Sequence, residues 1–104
     1  MDAMLRALAD GTRRQILTLV WHEERSASEI AAEFDMTRPS VSQHLGVLLA
    51  SDLVSVRRQG TQRLYRANRK AIVRLRTELA TMWDSGLGRL KQTAEATQRK
   101  GKRQ

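Results

Sequence analysis

The sequence predicts a mainly α-helical fold that contains one small β-hairpin. Apolar residues recur at three- and four-residue spacing through most of the chain, whereas residues 53–66 alternate on either side of a glycine, the pattern of a hairpin. The chain has 104 residues, about the length of one small domain. We expect this domain to span residues 1–97 and to be followed by a basic, disordered tail over residues 98–104, where no apolar residue occurs.

Three short helices are predicted in the first half of the chain. An amphipathic helix is indicated around residues 4–8, and a second helix follows with Asp10 or Thr12 as its N-cap. The third helix begins at the stretch SASEIAAEFDM, because Ser26 and Glu29 have the S-x-x-E spacing of a capping box.

A fourth helix is predicted to begin after Thr37 as N-cap, with Pro39 in its first turn, where the missing N–H costs nothing. Its apolar residues form one stripe, so short polar side chains occupy the other faces and allow a close approach to a partner. Two alternating segments, LVSVRR and QRLYRA, then predict a hairpin in which Gly60 supplies a positive φ. Asn68 can cap a long last helix, whose apolar residues recur near heptad spacing as far as Ala94.

Positive charge is concentrated in one part of the chain. The net charge is +8, yet residues 1–52 carry five basic and eight acidic residues, residues 53–77 carry eight basic residues and no acidic one, and residues 78–104 carry six and three. A localised basic patch is the electrostatic footprint of a polyphosphate binder, although a charge run can also be a solvated face.

The order helix, turn, helix, basic hairpin and long helix describes a winged helix-turn-helix. The segments LRALADGTRRQIL, SASEIAAEFDMTRPSVSQHLGVLLASDLV and VRRQGTQRLYRAN together resemble the ArsR/SmtB family of winged-helix transcriptional repressors, over residues 3–95. The chain departs from the family in two places: Gly11 stands where many relatives have proline, and SASEIAAEFD lacks the cysteines of the metal-sensing members. The resemblance implies a homodimeric repressor that binds a pseudo-palindromic DNA operator without a thiolate metal sensor.

The residues predicted to contact DNA lie on the fourth helix and on the hairpin, or wing. In the major groove Gln can bond adenine, Arg can bond guanine, and Ser can reach bases or phosphates, while wing residues would contact backbone or minor groove. The predicted set is Thr37, Arg38, Ser40, Ser42, Gln43 and His44 on the helix and Arg57, Arg58, Gln59 and Arg63 on the wing. As alternatives, the two serines are ordinary polar residues on the solvent-facing surface of the helix, His44 packs against a neighbouring helix, and the arginines lie on a solvated hairpin edge.

A dimer interface is predicted on the first and last helices. A helix that extends past so small a domain must cover its apolar side chains, and a second copy of the chain can do so. The predicted interface residues are Leu5, Leu8, Leu79, Met82, Trp83, Leu87 and Leu90. Two-fold symmetry would then place two recognition helices about 34–36 Å apart, in successive major grooves.

Catalysis, cofactors and metals are not expected. The sequence contains no cysteine, and His22 and His44 fall on different predicted elements without a nucleophile–base arrangement or a phosphate-binding loop. Carboxylates of Glu78, Asp84 and Glu95 at a dimer interface are the remaining metal-site alternative. Neither a signal peptide nor a run of about eighteen apolar residues is visible, so no membrane partner and a cytoplasmic location are expected.

Three other functions fit some of the same residues. A non-specific architectural protein would bind DNA with salt-dependent affinity and no sequence preference. A protein–protein module would not bind DNA. A sensor with a small molecule held between helices is the third, but no polar cluster indicates its pocket, so the effector is unknown.

Overall fold

The computed structural model describes residues 1–87, with the side chains of residues 1–86. The chain divides into two units, Met1–Ile72 and the part from Val73 onward. The predictions made for Leu90, Ala94, Glu95, the tail 98–104 and the side chain of Leu87 lie outside the described residues.

Residues 1–87 form five α-helices and a three-stranded antiparallel sheet, which confirms the predicted mainly α fold with a hairpin. The helices are α1 (Asp2–Leu8), α2 (Gly11–Leu19), α3 (Ala27–Glu33), α4 (Arg38–Ala50) and α5 (Arg69–Met82). The strands are β1 (Arg25–Ser26), β2 (Val54–Gln59) and β3 (Gln62–Ala67).

The beginnings of α2 and α3 are defined by side chains that accept hydrogen bonds from the first turn. The Asp10 carboxylate accepts from the backbone N–H of Arg13 at 3.1 Å, so Asp10 and not Thr12 is the N-cap of α2. At α3 the predicted capping box is present, with Glu29 N–H donating to Ser26 Oγ at 3.2 Å and Ser26 N–H donating to Glu29 Oε1 at 3.1 Å. These backbone donors lower the pKa of both carboxyl groups, Asp10 and Glu29.

The turn between α3 and α4 spans residues 34–37 and positions α4. It ends at Thr37, whose Oγ1 accepts from the backbone N–H of Ser40 at 3.2 Å, and Pro39 lies in the first turn of the helix as predicted. Asn68 is likewise confirmed as the residue that caps α5, since its Oδ1 accepts from the backbone N–H of Ala71 at 3.3 Å.

The sheet contains one strand that the sequence did not predict. Its order is β1-β3-β2, and the two residues of β1, Arg25 and Ser26, pair with Tyr65 and Leu64 of β3. A strand of two residues is too short to show alternation, and its partner lies far along the chain, so no local pattern could reveal it. The β2–β3 hairpin closes through Gly60 and Thr61, with Gly60 at the predicted positive φ of +63°.

The core of the first unit lies among helices α1–α4 and the inner face of the sheet. Its largest fully buried side chains come from α2, α3, α4 and the segment before β2: Ile16, Val20, Ile30, Val41, Leu45, Leu48 and Leu53. The helix-turn-helix pair is therefore held rigidly by apolar packing, which leaves its polar residues free for binding.

The last helix differs from the continuous α-helix that the sequence predicts. α5 ends at Met82 and continues as a π-helical turn over Trp83–Leu87. Ser85 Oγ donates to the carbonyl of Thr81 at 2.8 Å, a back-bond that competes with regular helical pairing, and Gly86 adds a residue of low helix propensity.

Candidate nucleic-acid interface

Helix α4 separates an apolar stripe from a polar face. Val41, Leu45 and Leu48 are each no more than 1% exposed, and they anchor the helix to the core. Ser42 and Gln43 are exposed on the opposite side, as a helical period of 3.6 residues requires. The helix thus presents short polar side chains on a rigidly packed support.

Two members of the predicted recognition set are only half exposed. Ser40 and His44 are both partly buried. His44 also contributes, after the stronger effects of the neighbouring Arg13 and Thr12, to the lowered pKa of the Asp10 carboxyl that caps α2. This electrostatic influence and the partial burial of His44 agree with the packing alternative for this residue.

Arg38, the first residue of α4, is directed towards the beginning of α3. Its Nη1 donates to Ser28 Oγ at 2.5 Å. Ser28 was not among the predicted site residues, although its place in the first turn of the helix before α4 is a usable signal. Because α3 has only seven residues and its end joins the beginning of α4, a polar residue in the first turn of α3 can reach and orient an arginine of the recognition helix.

The wing has two chemically different faces. Strand residues alternate between faces, and the pairing of Arg58 with Arg63 and of Val56 with Tyr65 places these four residues on the same side. This inner face, Val54, Val56, Arg58, Arg63, Tyr65 and Ala67, continues into the core at Val54, Tyr65 and Ala67. The outer face carries Ser55, Arg57, Gln59, Leu64 and Arg66.

A groove of about 400 Å³ lies between the recognition helix and the wing. It joins the first turn of α3, the first turns of α4 and the far end of the hairpin, and its polar lining includes Ser28, Arg38, Ser42, Thr61, Gln62 and Arg63. Within the part of the chain that the structure describes, no carboxylate forms an ion pair with Arg38, Arg58 or Arg63. The groove is therefore lined by uncompensated positive charge and hydrogen-bond donors, which suits a polyanion.

Arg57 is placed differently from the other wing arginines. Its Nε donates to Glu24 Oε2 at 2.7 Å and its Nη2 donates to Glu24 Oε1 at 2.5 Å. The Glu24 carboxylate raises the pKa of the Arg57 guanidinium, and the hydrogen bonds from Arg57 lower the pKa of Glu24. The sequence placed Arg57 among the DNA contacts, and this pairing was not foreseen because 33 residues separate the partners.

Comparisons with known proteins agree with this geometry. A helix-turn-helix domain family model matches residues 8–57. The chain is 41% identical over 86 residues to the HTH-type transcriptional regulator Rv2034 of Mycobacterium tuberculosis, which is 83% of this chain and 80% of that protein. An ArsR-like transcriptional regulator from Rhodococcus sp. RHA1 has a similar structure, with a TM-score of 0.70 and 31% identity over 89% of this chain and 91% of its own.

A second similar structure is the homodimeric winged helix-turn-helix DNA-binding domain Mb0332 from Mycobacterium bovis, described as a possible ArsR-family transcriptional regulator. Its TM-score is 0.67 and its identity is 34%, over 83% of this chain and 80% of that domain. The chain belongs to the ArsR family of winged helix-turn-helix transcriptional regulators. The resemblance seen in the sequence is thereby confirmed, together with the winged fold and the function class of a DNA-binding transcriptional regulator.

As a member of the ArsR family, the chain belongs with regulators and not with enzymes, in agreement with the sequence. The departure at Gly11 falls at the first residue of α2, directly after the N-cap Asp10. Proline is favoured at this position because it lacks a backbone N–H, and an N–H in the first turn has no intrahelical partner. Gly11 therefore replaces a residue that helps to begin a helix but makes no obligatory contact.

The apolar residues that the ArsR resemblance assigns to a dimer interface are largely accessible in the single chain. On α1, Leu5 is 38% exposed and Leu8 is partly buried. On the last helix, Leu79 is partly buried, and Met82 and Trp83 are 41% and 43% exposed. Large apolar side chains at this level of exposure are consistent with a surface that another molecule covers.

No group of three potential metal-ligating side chains occurs in the described residues 1–87. Glu78 and Asp84 lie within this range, whereas Glu95 lies outside it, so the metal-site alternative at a dimer interface stays untested. No helix among the described residues is both long and apolar enough to cross a membrane.

Proposed function

We propose that this ArsR-family member is a homodimeric repressor that recognises a pseudo-palindromic operator in double-stranded DNA. Helix α4 would lie in the major groove of each half-site, and the inner face of the wing would follow the adjacent backbone. Repression follows where such an operator overlaps the polymerase site. The sequence resemblance supports this mode of action.

One observation carries the proposal: the polar face of α4 and the inner face of the wing meet at one groove, and its arginines, Arg38 and Arg63, form no ion pair with a carboxylate of the described residues. A flat basic surface would suit any polyanion. Here, exposed short side chains that can read bases stand beside cations that can contact phosphates, and both are attached to rigid elements. This arrangement favours sequence reading over purely electrostatic binding.

Base reading is assigned to the exposed part of α4. Gln43 can make a bidentate contact with adenine, and Ser42 can bond a base edge or a phosphate. Arg38, oriented by Ser28, can reach guanine or the backbone. Thr37 and the half-buried Ser40 are assigned to the phosphate beside the helix N-terminus, while His44 is assigned to packing against α2.

Backbone contact is assigned to the inner face of the wing. Arg58 and Arg63 are cross-strand neighbours near the end of the hairpin, so they present two positive charges side by side. Like charges at this distance repel each other, and a phosphate placed between them would relieve that repulsion. The outer-face residues Arg57 and Gln59, which the sequence placed among the DNA contacts, bond each other and are assigned no phosphate.

Selection of binding sites from random DNA, followed by sequencing, tests the proposal directly. We expect enriched half-sites related by two-fold symmetry, with centres one helical turn or about 34–36 Å apart. Binding without enrichment would indicate a non-specific architectural protein. An absence of binding would indicate a protein–protein module and would contradict the proposal.

Replacing Gln43 by alanine is expected to weaken operator binding by about 1–3 kcal/mol for each half-site and to relax the preference at one base pair of each half-site. The reason is the loss of a bidentate base contact that only the matching base can make. Affinities for the operator and for single-base variants, measured by fluorescence anisotropy at one salt concentration, check this result. Gln15→Ala, which removes an exposed glutamine from α2, is the matched control. If both variants keep the wild-type preference, Gln43 does not read bases.

Replacing Met82 by aspartate is expected to raise the dimer dissociation constant by tenfold or more, since burying an unpaired charge costs at least about 1–3 kcal/mol. Sedimentation velocity over a concentration series measures the change. Thr81→Asp introduces the same charge at the neighbouring exposed position and serves as control. Equal dissociation constants for the two variants would place the interface elsewhere.

A further inference from the structure

The wing carries four arginines, and they differ in what surrounds them. Arg57 and Arg66 lie on the outer face, whereas Arg58 and Arg63 lie on the inner face. All four are exposed, and the sequence alone gives no reason to rank them. The structure separates them through a single carboxylate, that of Glu24.

The Glu24 carboxylate binds the Arg57 guanidinium through two hydrogen bonds. Two guanidinium nitrogens donate to the two carboxylate oxygens at 2.7 and 2.5 Å, the bidentate geometry of the stronger charge-assisted pairs. A third hydrogen bond, at 3.1 Å, runs from Arg57 Nη2 to Gln59 Oε1. The Arg57 side chain is therefore fixed along the outer face.

The carboxylate itself is anchored to the body of the domain. Glu24 directly precedes β1, whose residues Arg25 and Ser26 are paired with β3. Its side chain is only 27% exposed, against 54% for Arg57. Arg66, on the same outer face, also acts electrostatically on Glu24, in the direction that favours the charged carboxylate. Glu24 thus lies where it compensates outer-face charge and none of the inner-face charge.

We propose that Glu24 is a positioning residue that withholds Arg57 from the DNA backbone and leaves Arg58 and Arg63 as the phosphate contacts of the wing. The inference rests on the proposed DNA binding of this surface. A phosphate could recruit Arg57 only by displacing a bidentate carboxylate, whereas Arg58 and Arg63 have no acidic partner to lose among the described residues. Glu24 thereby decides which arginines of the wing reach the DNA.

The salt dependence of binding counts phosphate contacts and provides the test. The slope of log affinity against log salt changes by about 0.9 for each phosphate that a cation neutralises. For random-sequence duplex DNA we expect Arg57→Gln to keep the wild-type slope, while Arg63→Gln makes it shallower by about 1.8, about 0.9 for each protomer of the dimer. If Arg57→Gln loses as much slope as Arg63→Gln, Arg57 contacts phosphate directly and the inference is wrong.

Removal of the Glu24 carboxylate is expected to change the salt slope in the opposite direction. In Glu24→Ala the released Arg57 of each protomer can reach a phosphate, so the slope is expected to become steeper by about 1.8 for the dimer. Glu23→Ala removes the same charge one residue away, from a side chain that pairs with Arg25 and not with the wing, and it should leave the slope unchanged. Equal slopes for the two alanine variants would overturn the proposal. A stability defect alone would alter the folded fraction but not the slope.

Exchanging the acidic and basic residues of the Glu24–Arg57 ion pair provides a rescue experiment. Glu24→Arg combined with Arg57→Glu restores a salt bridge of reversed polarity, and its slope is expected to return to the wild-type value. A slope that stays as steep as that of Glu24→Ala would count against the proposal. These outcomes are distinct from failure of the proposed function, because that failure would appear as wild-type protein that binds no DNA or shows no sequence preference.

Discussion

Replacing Arg58 and Arg63 together by glutamine is expected to weaken binding to every DNA sequence by about a hundredfold or more at low salt. Each charge-assisted hydrogen bond to a phosphate contributes about 1.5–3 kcal/mol, and the double variant removes two of them from each protomer of the dimer. The slope of log affinity against log salt should become shallower by about 3.6, that is about 0.9 for each of four phosphates, while the preference for the operator over random DNA changes little. Fluorescence anisotropy over a salt series, with operator and random duplexes, measures both quantities.

A matched control distinguishes direct phosphate contact by the wing from the long-range attraction of positive charge to DNA. Arg74→Gln combined with Arg76→Gln removes the same two charges from exposed positions on α5. This variant should lose affinity only through long-range steering, which salt screens within about 10 Å at 0.1 M. If the wing variant and the α5 variant show the same slope, the inner face of the wing does not hold phosphates.

Replacing Leu45 by alanine is expected to lower the free energy of unfolding by about 2–5 kcal/mol, a large part of the stability of a domain this small. Leu45 is 1% exposed and anchors α4 to the core, so its removal leaves a cavity beneath the recognition helix. Urea unfolding monitored by circular dichroism gives the free energy. Val47→Ala removes methyl groups from a side chain of the same helix that is 40% exposed, and it should change stability by no more than about 0.5 kcal/mol.

Leu45→Ala and the wing variant also distinguish residues that stabilise the fold from residues that contact DNA. Leu45→Ala should reduce operator binding mainly by lowering the folded fraction, because Leu45 faces the core and not the groove. Stability that is unchanged in Leu45→Ala would contradict the burial of the apolar stripe. A loss of stability in the wing variant would show, conversely, that Arg58 and Arg63 have a structural role.

The helix boundaries could be predicted because their determinants are local. A cap requires one polar side chain within three residues of the N–H that it accepts from, so Ser26, Thr37 and Asn68 were recognisable in sequence. The alternation of the hairpin and the positive φ at Gly60 are local in the same sense. Strand β1 was not predicted because two residues are too few to show the alternation of a strand, and because their partners lie in β3.

The sequence predicted a polar, basic surface on α4 and the wing, but it did not predict how the side chains of that surface are arranged. Polar residues of α4 were identified because the apolar stripe of the helix leaves only certain positions exposed. The sequence could not show which of Arg57 and Arg58 pairs with a carboxylate. The two arginines have the same chemistry and project from opposite faces of the strand, but the sequence does not show which face meets Glu24. It also could not indicate that Ser28 orients Arg38 or that His44 lies towards Asp10.

By itself, then, the sequence determined the order of the elements, the helix caps, the stripe that anchors α4 and the concentration of positive charge after residue 53. These features depend on residue type and on short spacing. Tertiary structure decided which charges remain available: Glu24 meets Arg57 across 33 residues, while Arg58 and Arg63 form no ion pair with any described carboxylate, and Arg63 lines the groove beside α4. The physical reason is that electrostatic pairing depends on distance in space and on the face from which a side chain projects, and both are set only when the sheet has formed.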